Sequence, residues 1–145
     1  MGAISGRIEK QGPFVEMTVM PSEERVERLK ANGRSFPAPA TVRALIDTGA
    51  SCCVLDHRII ARLGLEATGK IPIHTPTTGS AYEWRETYDA CLVLGQDQPE
   101  PCVATVEVVG SDLASEGFFA LIGWTVLGLC RLHCDGPTRQ FTIEF

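Results

Sequence analysis

Apolar and polar positions alternate along many short stretches of this chain, and a two-residue period is typical of β-strands. Val15, Met17 and Val19, for example, alternate with the residues between them. Glycine and proline clusters between the stretches indicate turns. The pattern predicts a mainly β chain, with strands at Ile4–Ile8, Phe14–Met20, Ala40–Ile46, Cys52–Leu55, Ile71–Thr75, Tyr82–Tyr88, Ala90–Leu94, Cys102–Val109, Phe119–Gly123, Arg131–Cys134 and Gln140–Phe145.

Three short helices are predicted between the strands, at Glu23–Asn32, His57–Leu63 and Trp124–Leu129. Asp56 is the expected N-cap of the second helix, because a carboxylate can accept from the free N–H groups of a first turn. The first helix lies in a helical insertion at about 22–33 and contains few apolar residues. It is therefore predicted to be a solvated surface helix.

The composition is that of an ordinary globular protein. Its 145 residues are enough for one domain, 1–145, but not for two duplicated lobes. The hydrophobic share of 44% and the charged share of 21% are typical of soluble chains. A net charge of −5 argues against a nucleic-acid partner, because such partners attract basic surfaces.

Two further features bear on location. Residues 1–12 contain no apolar core behind basic residues, which a secretory signal would have. The longest apolar run, Phe118–Cys130, is shorter than the roughly 20 residues that cross a bilayer. We therefore expect a soluble, cytoplasmic protein without a membrane partner. Its six cysteines are expected as free thiols, because a reducing cytoplasm disfavours disulfides.

One stretch, Ala44–Ser51, carries the strongest indication of chemistry. Its sequence is Ala-Leu-Ile-Asp-Thr-Gly-Ala-Ser, so an apolar run ends in the carboxylate of Asp47 and breaks at once into Thr48-Gly49. This pattern predicts a buried strand that delivers one acid to the floor of a cleft. A lone carboxylate in apolar surroundings costs free energy, so its position indicates a function.

Three other segments follow at distances that match a known pattern: Val54-Leu55, Gly79 through Tyr88-Asp89, and Leu121-Ile122-Gly123. Together with Ala44–Ser51 they resemble the motifs of retropepsin-like (retroviral-type) aspartic proteases of cellular origin. The resemblance implies the closed, β-barrel-like acid protease fold. It further implies a flap hairpin, short helices and one lobe per chain.

The same resemblance implies an aspartic endopeptidase that hydrolyses peptide bonds in extended peptides without a metal or cofactor. Asp-Thr-Gly occurs once in the chain, so the second acid has to come from a second copy. A homodimer would then bring its two Asp47 carboxylates together on the twofold axis. One carboxylate would act as general base on a water molecule, and the other would act as acid.

The resemblance also assigns roles to residues of this chain. Asp47 is the expected catalytic residue, and the support of its loop is expected from Thr48, Gly49 and Ala50. Ala50 stands where pepsin-like members have serine, which predicts a less acidic pH optimum. Substrate binding is expected from Ser51, Cys52, Val54, Thr78, Gly79, Ser80 and Leu121.

Two expectations concern the dimer. Many viral members pair an aspartate with an arginine at the positions of Ser51 and Trp124, so this ion pair is absent here. In the family, the termini of the two subunits interleave into an intersubunit sheet, which covers strand edges that would otherwise be exposed. Ile4–Ile8 and Gln140–Phe145 are the expected strands of that sheet.

Two alternatives remain open at this point. The first is a peptide-binding or dimerisation module that keeps the fold without catalysis, although such a role does not require a pair of acids. The second is a cysteine or metal site built from Cys52, Cys53, His57, Cys130, His133 and Cys134. The second is disfavoured because adjacent residues of a strand point to opposite faces.

Overall fold

The computed structural model describes residues 1–74 and 81–145. The elements follow the chain as β1 (Ala3–Arg7), β2 (Phe14–Pro21), α1 (Glu23–Ala31), β3 (Ala40–Ile46), β4 (Cys53–Asp56), α2 (His57–Arg62), β5 (Ala67–Ile73), β6 (Glu83–Leu94), β7 (Cys102–Ser111), a 3-10 turn (Ala114–Glu116), β8 (Ala120–Ile122), α3 (Trp124–Leu127), β9 (Arg131–Asp135) and β10 (Gln140–Glu144). The mainly β fold class is therefore confirmed.

Six strands close into a barrel in the order β2-β3-β8-β4-β7-β6, and β2 completes the circle by pairing with β6. Met17 shows the closure, because it lies opposite Val42 on β3 and opposite Leu94 on β6. The alternation along each strand places one side-chain row inside the barrel. On β3 the inward row is Ala40, Val42, Ala44 and Ile46, all buried.

The order of three central strands determines where Asp47 lies. β8 is inserted between β3 and β4, although β3 and β4 follow each other in the sequence. It runs parallel to β3 and antiparallel to β4. The link from β3 to β4, residues 47–52, therefore has to cross the end of β8. We call this link the Asp47 loop.

The β5–β6 hairpin differs in extent from the sequence prediction. The two strands predicted at Tyr82–Tyr88 and Ala90–Leu94 are one continuous strand, β6. Its first half pairs with β5, and its second half pairs with β2 in the barrel. Thr87 and Tyr88 are adjacent and both buried, so the buried face of the strand changes close to the point where its partner changes. The tip of the hairpin lies outside the described residues.

The chain termini form a second, three-stranded sheet in the order β1-β10-β9. β10 pairs with β1 along one edge and with β9 along the other, both within the same chain. β10 therefore offers no open edge to a strand of a second subunit, and β1 and β9 end the sheet on its two sides. The expected intersubunit sheet of Ile4–Ile8 and Gln140–Phe145 stays a prediction. Phe141 and Ile143 of β10 are buried in the core, so this sheet is part of the fold.

The helix α1 has no buried residue, in agreement with a solvated surface helix. Ser22 caps it by accepting from the N–H of Arg25 at 3.2 Å. Arg25 in turn forms an ion pair with Glu66 at 2.9 Å and donates to the carbonyl of Gly64, which attaches the helix to the α2–β5 connection. Within the described ranges, no helix is both long and apolar enough to cross a membrane.

Candidate active site

Asp47 lies directly after β3, at the point where the strand ends and the Asp47 loop begins. Its N–H donates to the carbonyl of Ile122 on β8 at 3.0 Å, and its carbonyl accepts from the N–H of Ala50 at 3.2 Å. These two hydrogen bonds hold the backbone of the residue on both sides. The side chain is half-buried, so the carboxylate remains open to solvent at one face.

The N–H of Gly49 donates to Oδ1 of Asp47 at 2.9 Å. This hydrogen bond fixes the orientation of the carboxylate. A side chain at position 49 would place its Cβ 3.2 Å from the same oxygen, which is a crowded contact. Glycine therefore leaves the carboxylate accessible where another residue would crowd it.

Gly123, at the end of β8, passes very close to the Asp47 loop. A Cβ at this position would lie 2.3 Å from the carbonyl oxygen of Cys52 and 2.7 Å from that of Ala50. The Gly123 N–H also points to the sulfur of Cys53 at 3.4 Å. Only glycine allows the strand and the loop to approach this closely, which gives a steric reason for the apolar-apolar-Gly motif.

Trp124 fixes the other side of the loop. Its backbone N–H donates to the carbonyl of Ala50 at 3.0 Å, and its indole Nε1–H donates to the carbonyl of Thr48 at 2.7 Å. The indole is nevertheless 52% exposed. The Thr48 side chain is exposed as well, and its hydroxyl makes no hydrogen bond with the described residues. The loop is thus fixed through its backbone, while Thr48 projects outward.

The model of the aspartyl protease family matches residues 19–96. This segment contains the Asp47 loop and both strands of the β5–β6 hairpin, and it amounts to more than half of the chain. The chain belongs to the aspartyl protease family. No curated protein matches the sequence.

One of two similar solved structures supports the same fold. A retropepsin-like aspartic protease from Rickettsia conorii superposes with a TM-score of 0.63 at 16% identity, over 99% of this chain and 91% of that chain. The retroviral protease-like domain of Ddi1 from Leishmania major matches with a TM-score of 0.42 at 14% identity, over 68% and 74% of the two chains. The first match confirms the predicted retropepsin-like fold.

In this aspartyl protease fold, the residues expected to bind substrate lie in different places. Val54 and Leu121 are opposite each other on β4 and β8, both half-buried, and they line one apolar pocket. Ser51 is exposed and Cys52 is half-buried in the Asp47 loop. Three further expected residues, Thr78, Gly79 and Ser80, lie outside the described residues, so their placement remains a prediction.

The cysteines near the loop are poor nucleophiles. Burial, with a smaller contribution from neighbouring Cys53, raises the pKa of the Cys52 thiol. Burial is also the main cause that raises the pKa of Cys53. Both thiols are therefore protonated at neutral pH. In the part of the chain that the structure describes, no group of three or more His, Cys, Asp or Glu side chains is arranged as a metal site.

A second carboxylate, Asp56, is completely buried but has a structural role. It caps α2 through the N–H of Arg58, as predicted, and its other oxygen accepts from the N–H groups of Leu113 and Ala114, each at 2.8 Å. Burial raises the pKa of Asp56, but these three N–H donors outweigh burial and hold the pKa below its ordinary value. All its described partners are structural, so we do not place Asp56 in the active site.

Sequence reasoning missed two residues of the site region. The hydrogen bond from Trp124 to Thr48 joins positions far apart in sequence, and nothing in the local pattern indicates it. Arg85 lies on the half-buried face of β6 and reaches the pocket of Val54 and Leu121. Its only signal was the alternation of β6, which places Glu83, Arg85 and Thr87 on one face.

Proposed function

We propose that this protein is an aspartic endopeptidase that hydrolyses peptide bonds in extended peptides. The observation that carries the proposal is the geometry around Asp47. A half-buried carboxylate accepts from Gly49 N–H, and its loop is held by Gly123 and Trp124 in a chain of the aspartyl protease family. A carboxylate that is both fixed and accessible is suited to acid–base chemistry on a bound water.

The second acid comes from Asp47 of another copy of the chain, because Asp-Thr-Gly occurs once. Two carboxylates at about 4 Å repel each other by about 4 kcal/mol at an effective dielectric near 20. Such a pair therefore shares one proton, as carboxylate dyads of aspartic proteases generally do. The ionised member removes a proton from water while the water attacks the peptide carbonyl. The protonated member donates its proton to the substrate.

The second copy has to meet the face of the molecule that presents the Asp47 loop. Thr48 and Gly49 are exposed there, and the indole of Trp124 beside them is 52% exposed. Large aromatic side chains of this kind are enriched at the centres of protein interfaces. We assign the dimer contact to this face, and β10, which is paired on both edges within its own chain, need not be shared between the copies.

The substrate would lie as an extended strand between the β5–β6 hairpin and the barrel. Strand addition of this kind binds the backbone of a peptide and uses pockets for alternate side chains. Val54 and Leu121 offer one such pocket, with Ser51 and Cys52 near the substrate backbone. The expected flap residues Thr78, Gly79 and Ser80 would close over the peptide and supply backbone N–H groups.

The test is cleavage of a mixed peptide library by the wild type and by Asp47→Asn. The substitution keeps the size of the side chain but removes its acid–base function, so we expect sequence-specific cleavage to be lost. Asp97→Asn is the matched control, because Asp97 is an exposed acid on the β6–β7 turn. Binding without cleavage by the wild type would contradict the proposal and favour a peptide-binding module.

A further inference from the structure

The pocket between the β5–β6 hairpin and the barrel has a volume of about 170 Å³. Five of its lining side chains are aliphatic, among them Val54 and Leu121 of the barrel and Ile73 of the hairpin. Leu121 precedes Ile122, whose carbonyl holds the backbone of Asp47. The pocket therefore lies beside the reacting centre of the proposed enzyme and is accessible to a substrate side chain.

One charged residue, Arg85, interrupts this apolar lining. It is fixed in place because Nη1 donates to the hydroxyl of Ser111 at 2.9 Å and to the carbonyl of Gly110 at 3.4 Å. Nη2 donates to the carboxylate of Glu83 at 3.0 Å. The side chain is 26% exposed, and that of Glu83 is 50% exposed. The guanidinium is thus held against β7, and its charge is already balanced at the rim by Glu83.

The hydrogen bonds of Arg85 are incomplete. A guanidinium carries five N–H groups, and the three bonds above leave two of them without an acceptor among the described residues. Nε is one of the two, and it is buried. Because Nε is buried, the remaining N–H of Nη2 is the one left to donate to an incoming oxygen atom, which would satisfy it. An aliphatic side chain in the same pocket offers no such oxygen.

We infer that Arg85 is a specificity-determining residue and that this pocket takes a substrate side chain with an aliphatic stem ending in a carbonyl or carboxylate oxygen. Glutamine and glutamate have this chemistry. The stem packs on Val54 and Leu121, and the oxygen accepts from Arg85. Glutamine fits at least as well as glutamate, because Glu83 already neutralises the guanidinium. The inference rests on the proposed function, since it concerns a subsite of that enzyme.

The experiment uses sets of peptides that are identical except at one position, which carries Gln, Glu, Met or Leu. Each set varies a different position of the peptide. Dissociation constants are measured with Asp47→Asn, which cannot turn the peptides over, and kcat/KM is measured with the wild type. At one position, Gln and Glu are expected to exceed Met by about tenfold or more, the effect of an oxygen that a polar site requires.

Two variants locate the cause of this preference. Arg85→Met is expected to abolish the ratio of Gln to Met, and Glu83→Gln is expected to shift the ratio of Glu to Gln toward Glu, because the guanidinium loses its counter-charge. Arg7→Met is the matched control, since Arg7 is exposed on β1, outside the pocket. It should leave both ratios unchanged.

The outcomes separate this inference from the proposed function. Equal binding of Gln, Glu, Met and Leu at every position in Asp47→Asn, which keeps Arg85, would overturn the inference whether or not Arg85→Met folds. An unchanged preference in a folded Arg85→Met variant would overturn it as well. A preference in binding without any cleavage by the wild type would overturn the proposed enzyme and leave the assignment of Arg85 intact.

Discussion

Gly123→Ala tests whether the close approach of β8 and the Asp47 loop holds the site together. The added Cβ would lie 2.3 Å from the oxygen of Cys52, about 1 Å short of ordinary contact, which begins at 3.4 Å. Both obstructing groups are backbone, so no side chain can turn away. The backbone angles of Gly123, φ −100° and ψ −170°, are open to alanine, so the effect would be purely steric.

The size of the effect follows from this displacement. Overpacking of a tight contact costs about 1–3 kcal/mol, and loss of the hydrogen bond from Trp124 to Ala50 adds about 1 kcal/mol. Together these costs amount to about 2–4 kcal/mol, so we expect the melting temperature to fall by roughly 4–16 °C at about 2–4 °C per kcal/mol. A shift of the loop by about 1 Å would lower kcat about 100-fold, because acid–base catalysis depends on position.

Thermal unfolding and peptide cleavage measure the two effects separately. Gly136→Ala is the matched control, because a Cβ there meets nothing within 4 Å and its φ is not positive. We expect this control to behave as the wild type. If Gly123→Ala has the stability and kcat of the wild type, the contact between β8 and the loop does not fix the site, and the reasoning is refuted.

Three other predictions follow from single contacts. Trp124→Phe removes the donor to Thr48, a neutral hydrogen bond of about 1 kcal/mol, so kcat should fall about fivefold at saturating substrate; an unchanged kcat would show that the bond does not position the loop. Asp56→Asn should flatten the dependence of unfolding free energy on pH. The lowered pKa of Asp56 stabilises the fold at pH above the pKa of the unfolded state, and this stability is lost as the pH falls through the pKa of the folded state. An equally steep acid transition in urea titrations of the variant would contradict that role. Deletion of residues 140–145 should abolish folding, because it removes buried Phe141 and Ile143; a cooperatively folded truncated chain would contradict it.

Local patterns were sufficient for much of the fold. The bounds of β3 agree with the prediction because apolar residues alternate with Thr41 and Arg43 and then continue as a run through Ala44–Ile46. The cap of α2 by Asp56 was predictable, since N-caps depend on neighbouring residues. The contact of the same carboxylate with Leu113 was not predictable, because it joins residues 57 positions apart. β5 begins at Ala67, earlier than predicted, because its first residues are polar or small and exposed.

The candidate site likewise contains residues that the sequence predicted and residues that it did not. Asp47 and Gly49 were recognised from one contiguous motif, and the structure places the Gly49 N–H on the carboxylate. The pairing of Val54 with Leu121 agrees with a shared pocket. The part played by Arg85 depends on the register of β6 with β7, which no single strand reveals. The pairing of β1 with β10 within one chain was likewise a choice of partner that both strands leave open.

The central claim is that each chain supplies one half of the reacting pair. Wild type and Asp47→Asn are unfolded together in equal amounts and refolded, and cleavage is compared with that of the two proteins refolded separately and then mixed. Random pairing leaves about one quarter of the dimers with two aspartates, so the account predicts about half the activity of the separate mixture. Equal activity in the two samples, with mixed dimers shown to be present, would contradict a shared pair of Asp47 carboxylates.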